Sequence, residues 1–230
     1  MSTLDEQKRL LSLEADESAR AALFPVRPRL LSLKTLMKGQ ARALIRAENA
    51  DELVRALPRA EGESTHALLS GEFVLGEVID RVRSLHGEPR EIWIATLSVG
   101  IPNFATLKAA CEAGVSVTLL VSHYFQSADS ELYAALERAL DGFPNFRLIV
   151  GRVHAKVLLF DFPSWPLTLT TSANLRSSNN LEQLDAHAAA PLFFFHRDWM
   201  QEVTDRAVNG TNPSHYVLFR GPQEKGGAHG

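Results

Sequence analysis

The chain has 230 residues, a net charge of −3 and 22% charged residues, which argues against a protein coated uniformly in basic groups. Cys111 is the only cysteine, which excludes an internal disulfide and a cysteine-rich zinc site. The N-terminus is charged from its fifth residue and lacks the apolar run of a signal peptide, and no window approaches a membrane-spanning length. We therefore expect a soluble, cytoplasmic protein without a membrane partner.

Residues 1–64 are expected to form a helical N-terminal extension. Over residues 30–46, apolar residues recur along one helical face: Leu33, Leu36, Met37, Ala41, Leu44 and Ile45. Basic residues recur every four positions on roughly the opposite face, and no acidic residue stands between Glu17 and Glu48 to oppose them: Lys34, Lys38, Arg42 and Arg46. This basic stripe is either a surface that binds a nucleic-acid backbone or, as such stripes more often are, a solvated helix face.

From residue 65 the pattern changes to alternating strands and helices. Strands are predicted over 65–70, 92–99, 115–122 and 167–173, and helices over 71–87, 103–114, 130–140 and 193–208. Residues 146–161 are predicted to form one long or two short strands. The last helix is expected to pack four side chains inward: Phe194, Phe195, Trp199 and Val203. This order predicts an α/β domain over 65–220, with a mostly parallel or mixed sheet flanked by helices, and a disordered tail over 221–230.

The segment 154–174, HAKVLLFDFPSWPLTLTTSAN, carries the most chemistry. Alternate side chains of a β-strand share a face, so His154 and Lys156 are expected to point the same way. Ser172 and Asn174 are expected to do so on the next strand. An imidazole, a fixed cation and two small hydrogen-bonding groups that converge on one point are suited to binding a phosphate.

The spacing His154-x-Lys156, then four residues, then Asp161, and later Ser172-x-Asn174, resembles the HKD motif of the phospholipase D superfamily. The resemblance covers roughly residues 65–208. The continuation NLRSSNNLEQLDAH, residues 174–187, is similar to members that carry a glutamate soon after the motif, in this chain Glu182. The resemblance implies a phospholipase D-like layered fold, closest to the small single-motif bacterial and phage-type proteins.

Two features depart from the family pattern. Thr171 stands where the family usually has glycine before the serine, and glycine lets a backbone approach phosphate closely. The nine residues between Asp161 and Thr171 make a gap about three longer than is usual in the family. Pro163 and Pro166 lie in this gap, so we expect the extra length to form a turn between two intact strands.

The resemblance implies a mechanism without metal or cofactor. His154 would attack phosphorus to form a phosphohistidine, or protonate the leaving oxygen from the opposite side. Lys156 would neutralise charge on the phosphoryl oxygens, with hydrogen bonds from Ser172 and Asn174. Glu182 would accept the Nδ1 proton of a histidine, and Asp161 would support the strand–turn geometry. Two arginines nearby are either phosphate contacts or surface residues: Arg152 and Arg176.

The mechanism needs two histidines, and of the eight in the chain only His154 has a lysine two residues on. A two-fold homodimer with both copies of His154 facing one pocket would complete the site. The first hypothesis is therefore a metal-independent nuclease whose partner is nucleic acid, with DNA favoured. A phospholipid headgroup hydrolase shares the chemistry. The alternative from another class is a catalytically weakened module that binds nucleic acid or serves an assembly, which Thr171 keeps open.

Overall fold

The computed structural model describes residues 42–70, 73–178, 180–209 and 217–220. The residues predicted to form the first part of the N-terminal helix, with Lys34 and Lys38, lie outside these ranges. So does the expected disordered tail at 221–230.

Most of the described strands belong to one mixed sheet. In chain order the strands are β1 (Arg42–Ala47), β2 (Ser64–Leu69), β3 (Phe73–Val74), β4 (Glu91–Ala95), β5 (Ser116–Ser122), β6 (Phe146–Gly151), β7 (Val157–Asp161), β8 (Pro166–Thr171), β9 (Ser177–Ser178), β10 (Glu182–His187) and β11 (Val217–Arg220). Nine of them form a sheet in the order β1-β2-β10-β8-β7-β4-β5-β6-β11, and β3 pairs with β9 separately. The pairs β1–β2, β4–β5 and β5–β6 are parallel and the others antiparallel.

Helices cover both faces of this sheet. They are α1 (Ala50–Ala56), α2 (Leu75–His86), α3 (Pro102–Glu112), α4 (His123–Ala128), α5 (Ser130–Leu140) and α6 (Ala190–Asn209). Ile92 and Ile94 of β4 join the main core, which also contains buried side chains of α1 to α5. Trp93 alternates with them and faces α6, whose Arg197 guanidinium lies 5.5 Å from the Trp93 ring centre. No helix in the described part of the chain is long and apolar enough to span a membrane.

The predicted α/β class, with a mixed sheet flanked by helices, is confirmed. Residues 146–161 form two short strands, and β7 and β8 pair as a hairpin across residues 162–165 with Asp161 opposite Pro166. The extra length after Asp161 is therefore a turn between intact strands, as expected. Gly87 ends α2 with a φ of +84°, a conformation that favours glycine.

The helix predicted over residues 30–46 is wrong at its C-terminal end. Arg42–Ala47 is strand β1, which pairs in parallel with β2 from Arg42 opposite Ser64 to Ala47 opposite Leu69. Helix α1 makes the crossover between the two strands. A strand partner about twenty residues away outweighs the local helical period, so the sheet begins before the residue-65 boundary.

Two further differences concern the end of the chain. The sequence did not predict β10, which lies between β2 and β8 in the sheet. The predicted inward position of Phe194 is wrong, because that side chain is 54% exposed while Phe193, Met200 and Val203 are buried. Helix α6 starts at Ala190, three residues earlier than predicted, and the face that it presents to β4, β7 and β8 is set by these three buried residues.

Candidate functional site

The motif residues, except Asp161, lie at one edge of the sheet. Because β7 runs antiparallel to both β4 and β8, its first residue Val157 lies opposite Ala95 at the end of β4 and Thr170 near the end of β8. Thr171 in turn lies opposite Leu184 of β10. The loop into β7, the bend after β8 and the start of β10 therefore meet at one place.

His154 and Lys156 lie in the loop before β7, not on a strand, so their predicted position on a strand is wrong. The ladder with β4 begins only at Val157. The two side chains are nevertheless adjacent, with Lys156 Nζ 3.1 Å from His154 Nδ1. His154 is exposed and Lys156 is half-buried.

The charge on Lys156 is set by two opposing effects. Burial lowers the pKa of the Lys156 amine, and the negative charge of Glu182 raises it in part. As an ammonium group Lys156 only donates, so in that state Nδ1 of His154 accepts and the neutral ring carries its proton on Nε2. Lys156 thus contacts His154 Nδ1, the nitrogen whose proton Glu182 was expected to accept.

Ser172 lies just past β8 and is held by the first two residues of β10. Its hydroxyl donates to Glu182 Oε2 and accepts from the Gln183 backbone N–H at 2.9 Å. Its own backbone N–H donates to the Gln183 carbonyl oxygen at 3.0 Å. Ser172 and Asn174 were expected on a strand; β8 ends at Thr171, so this prediction is wrong, and both lie in the bend and loop that follow.

Thr171, which stands where the HKD motif usually has glycine, holds this bend. Its Oγ1 donates to the Gln183 carbonyl oxygen at 2.7 Å and accepts from the backbone N–H of Ala173 at 3.1 Å. Among the described residues only glycines have a positive φ, so Thr171 takes an ordinary backbone conformation. The threonine side chain thus adds two hydrogen bonds beside the site without backbone strain.

The loop that carries Asn174 is held by hydrogen bonds of the Asn103 side chain. This buried side chain accepts from the Gly76 backbone N–H at 2.7 Å and donates to the Leu175 carbonyl oxygen at 2.9 Å. The Leu175 backbone N–H donates to Thr96 Oγ1 at 3.0 Å. Asn174 Oδ1 is buried and has no hydrogen-bond partner among the described groups.

Asp161 lies at the other end of β7, roughly 16 Å along the strand from Lys156. It forms a bidentate salt bridge with Arg90, whose Nη2 donates to Asp161 Oδ1 at 2.8 Å and whose Nε donates to Asp161 Oδ2 at 3.0 Å. The backbone N–H of Arg90 also donates to the Asp161 carbonyl oxygen at 2.9 Å. This arrangement separates Asp161 from the other motif residues.

The predicted substrate-binding arginines have different surroundings. Arg176 Nη1 lies 3.0 Å from Asp129 Oδ2, in an ion pair beside the motif loop. Arg152 is exposed in the bend after β6. Arg46 is exposed at the end of β1, where its Nε donates to Ser70 Oγ at 3.3 Å. Arg42 lies in β1, and its side chain is not among those that the structure describes.

The structure thus brings four of the predicted site residues together, His154, Lys156, Ser172 and Glu182, with Asn174 in the adjoining loop. Within the described ranges no group of three or more His, Cys, Asp or Glu side chains could hold a metal ion. Sequence reasoning missed Gln183 and Asp185, two polar residues that β10 places beside Ser172. Alternation of polar and apolar residues along 183–187, QLDAH, is the sequence signal that could have found them.

Comparisons with known proteins identify neither a family model nor a curated protein that matches the chain. Similar solved structures include a phospholipase D family member, Nuc, from Salmonella typhimurium, with 18% identity, 69% of this chain and 99% of that chain covered, and a TM-score of 0.45. Polyphosphate kinase from Porphyromonas gingivalis has 14% identity, 66% and 24% coverage, and a TM-score of 0.40. TrmBL2, an archaeal chromatin protein with a novel mode of DNA binding, has 13% identity, 88% and 66% coverage, and a TM-score of 0.42. These identities and TM-scores are too low to support a functional argument, so a function for this chain has to be argued from its own side chains.

Proposed function

We propose that this chain is a phosphodiesterase of the phospholipase D type that cleaves nucleic acid, with DNA as the favoured substrate, through a phosphohistidine on His154. The observation that carries the proposal is the contact of 3.1 Å between an exposed imidazole and a half-buried lysine. The Ser172–Glu182 hydrogen bond lies at the same sheet edge. Imidazole supplies a nucleophile, and lysine supplies fixed positive charge for a phosphoryl group.

The chemistry begins with competition for the Lys156 ammonium group. A phosphodiester oxygen, being negatively charged, is a stronger acceptor than a neutral imidazole, so a bound phosphate draws Lys156 away from His154. The freed imidazole nitrogen then attacks phosphorus, a P–N bond forms and the P–O bond to the leaving group breaks. Water attacks the phosphohistidine in the second step, the P–N bond breaks, and a phosphomonoester is released.

The leaving oxygen needs a proton in the first step, and the attacking water must lose one in the second. His154 of the partner subunit would serve both needs, because this chain has a single HxK motif. We propose a homodimer in which the exposed His154 side chains face each other across one phosphate. Light scattering on the purified protein measures the mass, and a monomer at assay concentration would contradict this arrangement.

The activity is tested with purified protein, single- and double-stranded DNA and RNA, and a phosphatidylcholine analogue, all in excess EDTA. We expect cleavage of nucleic acid that His154→Ala abolishes and Lys156→Ala reduces at least about a hundredfold, as loss of one charge-stabilising group does. Lys108→Ala is the matched control, because Lys108 is an exposed lysine on α3 paired with Glu112. Acid-labile labelling of His154 by a nucleotide would identify the intermediate.

The second candidate function is nucleic-acid binding without turnover. A carboxylate was expected to orient the His154 ring for catalysis, but a lysine contacts His154 Nδ1 instead. The tautomer of the ring is therefore set by a cation, and this difference favours the second candidate. Binding that is unchanged by His154→Ala, with no cleavage of any substrate, would support this reading and contradict the enzyme proposal.

A further inference from the structure

A pocket of about 300 Å³, lined by residues with polar side chains, opens beside the proposed phosphate site. It is lined by five residues from the adjoining ends of β8 and β10: Thr170, Thr171, Ser172, Gln183 and Asp185. Ser172 belongs both to this pocket and to the group at the sheet edge. A substituent attached to a phosphate at Ser172 would therefore enter the pocket directly.

The wall of the pocket is fixed by hydrogen bonds across three strands. Asp185 lies opposite His66 of β2 and opposite Thr170 of β8. Its Oδ1 contacts His66 Nδ1, and its Oδ2 accepts from Gln183 Nε2 at 2.9 Å. The His187 ring packs edge-on against His66, with ring centres 5.9 Å apart. Both carboxylate oxygens are thus held in place before any ligand arrives.

The fixed groups still have hydrogen-bonding capacity. Each carboxylate oxygen of Asp185 has a second lone-pair site, and the Gln183 amide has a second N–H and a carbonyl oxygen. The pocket therefore offers hydroxyl, amide and carboxylate groups side by side. This set is complementary to the hydroxyl and N–H groups of a nucleoside.

We infer that this pocket binds the nucleoside attached to the scissile phosphate, and that Gln183 contributes to substrate specificity. The inference rests on the proposed function, because it assigns to the pocket the group that is bonded to the scissile phosphate. A volume of about 300 Å³ lies at the lower end for small-molecule sites, which suits one nucleoside and not an extended strand. The pocket thus selects among phosphodiesters by the group next to phosphorus.

The test compares two chromogenic phosphodiesters, thymidine 5′-(4-nitrophenyl phosphate) and methyl 4-nitrophenyl phosphate. Gln183→Ala removes one side chain that the ligand would contact and leaves the backbone bonds to Ser172 in place. We expect it to raise KM for the thymidine ester roughly three- to tenfold, the value of one hydrogen bond, with kcat nearly unchanged. The methyl ester has nothing to place in the pocket, and its kinetics should not change.

Gln201→Ala is the matched control, since Gln201 makes the same kind of bond to Asp205 on α6, at 2.7 Å. Equal effects of Gln183→Ala on both esters, or no effect on either, would overturn the pocket assignment while leaving the proposed function intact. If neither ester is cleaved, calorimetry tests the pocket on its own, and the nucleic-acid cleavage assay decides the proposed function separately. Thymidine 5′-phosphate should then bind more tightly than inorganic phosphate, by a margin that Gln183→Ala reduces. Equal binding of the two would refute the inference.

Discussion

Thr171 is the residue whose substitution best separates a working site from a weakened one. Its hydroxyl makes two hydrogen bonds that hold the bend of Ser172, one to the Gln183 carbonyl oxygen and one from the Ala173 N–H. Thr171→Val keeps the branched shape and removes both bonds, whereas Thr171→Ser keeps the hydroxyl. Thr171→Gly introduces the residue that is usual at this position of the HKD motif.

The magnitudes follow from what each change leaves behind. Valine removes a bond worth about 1 kcal/mol and leaves the N–H of the buried residue Ala173 without an acceptor, at a cost of about 1–2 kcal/mol. The Gln183 carbonyl oxygen still accepts from the Ser172 N–H, so no further penalty arises there. We expect Thr171→Val to lose about 2–3 kcal/mol and Thr171→Gly about 0.5–1 kcal/mol more, because glycine gains freedom in the unfolded chain.

Urea unfolding followed by circular dichroism measures these differences, provided that the m-values agree between variants. Thr171→Ser should stay within about 0.5 kcal/mol of the parent chain. In the nuclease assay, Thr171→Val and Thr171→Gly should lose activity and Thr171→Ser should keep it. A Thr171→Val variant as stable as the parent, or a Thr171→Gly variant that is more active, would refute the role given to this hydroxyl.

Three further predictions concern the framework. Gly76→Ala places a Cβ 2.3 Å from Asn103 Oδ1 and should destabilise the protein by about 2–3 kcal/mol in urea unfolding, and a neutral result would contradict the close packing. Arg83→Met removes a side chain that is 9% exposed and bonded to two carboxylates, and should cost about 2 kcal/mol. Arg81→Met, at an exposed pair, should cost less than about 0.5 kcal/mol, and equal costs would contradict the role of burial. Burial lowers the pKa of His196 to about 4. Between about pH 6.5 and 4, His196 therefore binds a proton in the unfolded chain but not in the folded chain. The free energy of unfolding falls as the pH drops through this range, by at most about 3 kcal/mol. His196→Gln should flatten this dependence in melting curves, and an unchanged slope would exclude His196 as its source.

The sequence predicted those parts of the fold whose signals are local. Helix α5 matches its predicted range, 130–140, and β5 was predicted to within one residue, because apolar periodicity is strong in both segments. Strand β1 was mistaken for helix, since its strand state depends on a parallel partner elsewhere in the chain. Strand β10 was missed because its polar residues, Glu182 and Asp185 among them, gave no apolar run.

The site was predictable in its residues and less so in its geometry. Motif spacing identified His154, Lys156, Ser172 and Glu182, which do lie at one sheet edge. Strand parity was the wrong reason for their convergence, because His154, Lys156 and Ser172 lie outside the strands and Glu182 is the first residue of β10. The pocket beside Ser172 could not be predicted, since it needs the register of β10 against β8, which spacing alone does not give.

The Asn103 side chain has a consequence for how opening of the motif loop could be observed. It joins the Leu175 carbonyl oxygen, one residue past the motif, to the backbone amide of Gly76 at the start of α2. When the loop lifts away, Asn103 Nδ2 keeps only its bond of 3.3 Å to the Gly100 carbonyl oxygen, and we expect the less restrained side chain to protect the Gly76 amide less well. Hydrogen–deuterium exchange at this one amide, about a hundred residues earlier in the chain, thus reports the frequency of loop opening without any probe placed in the site.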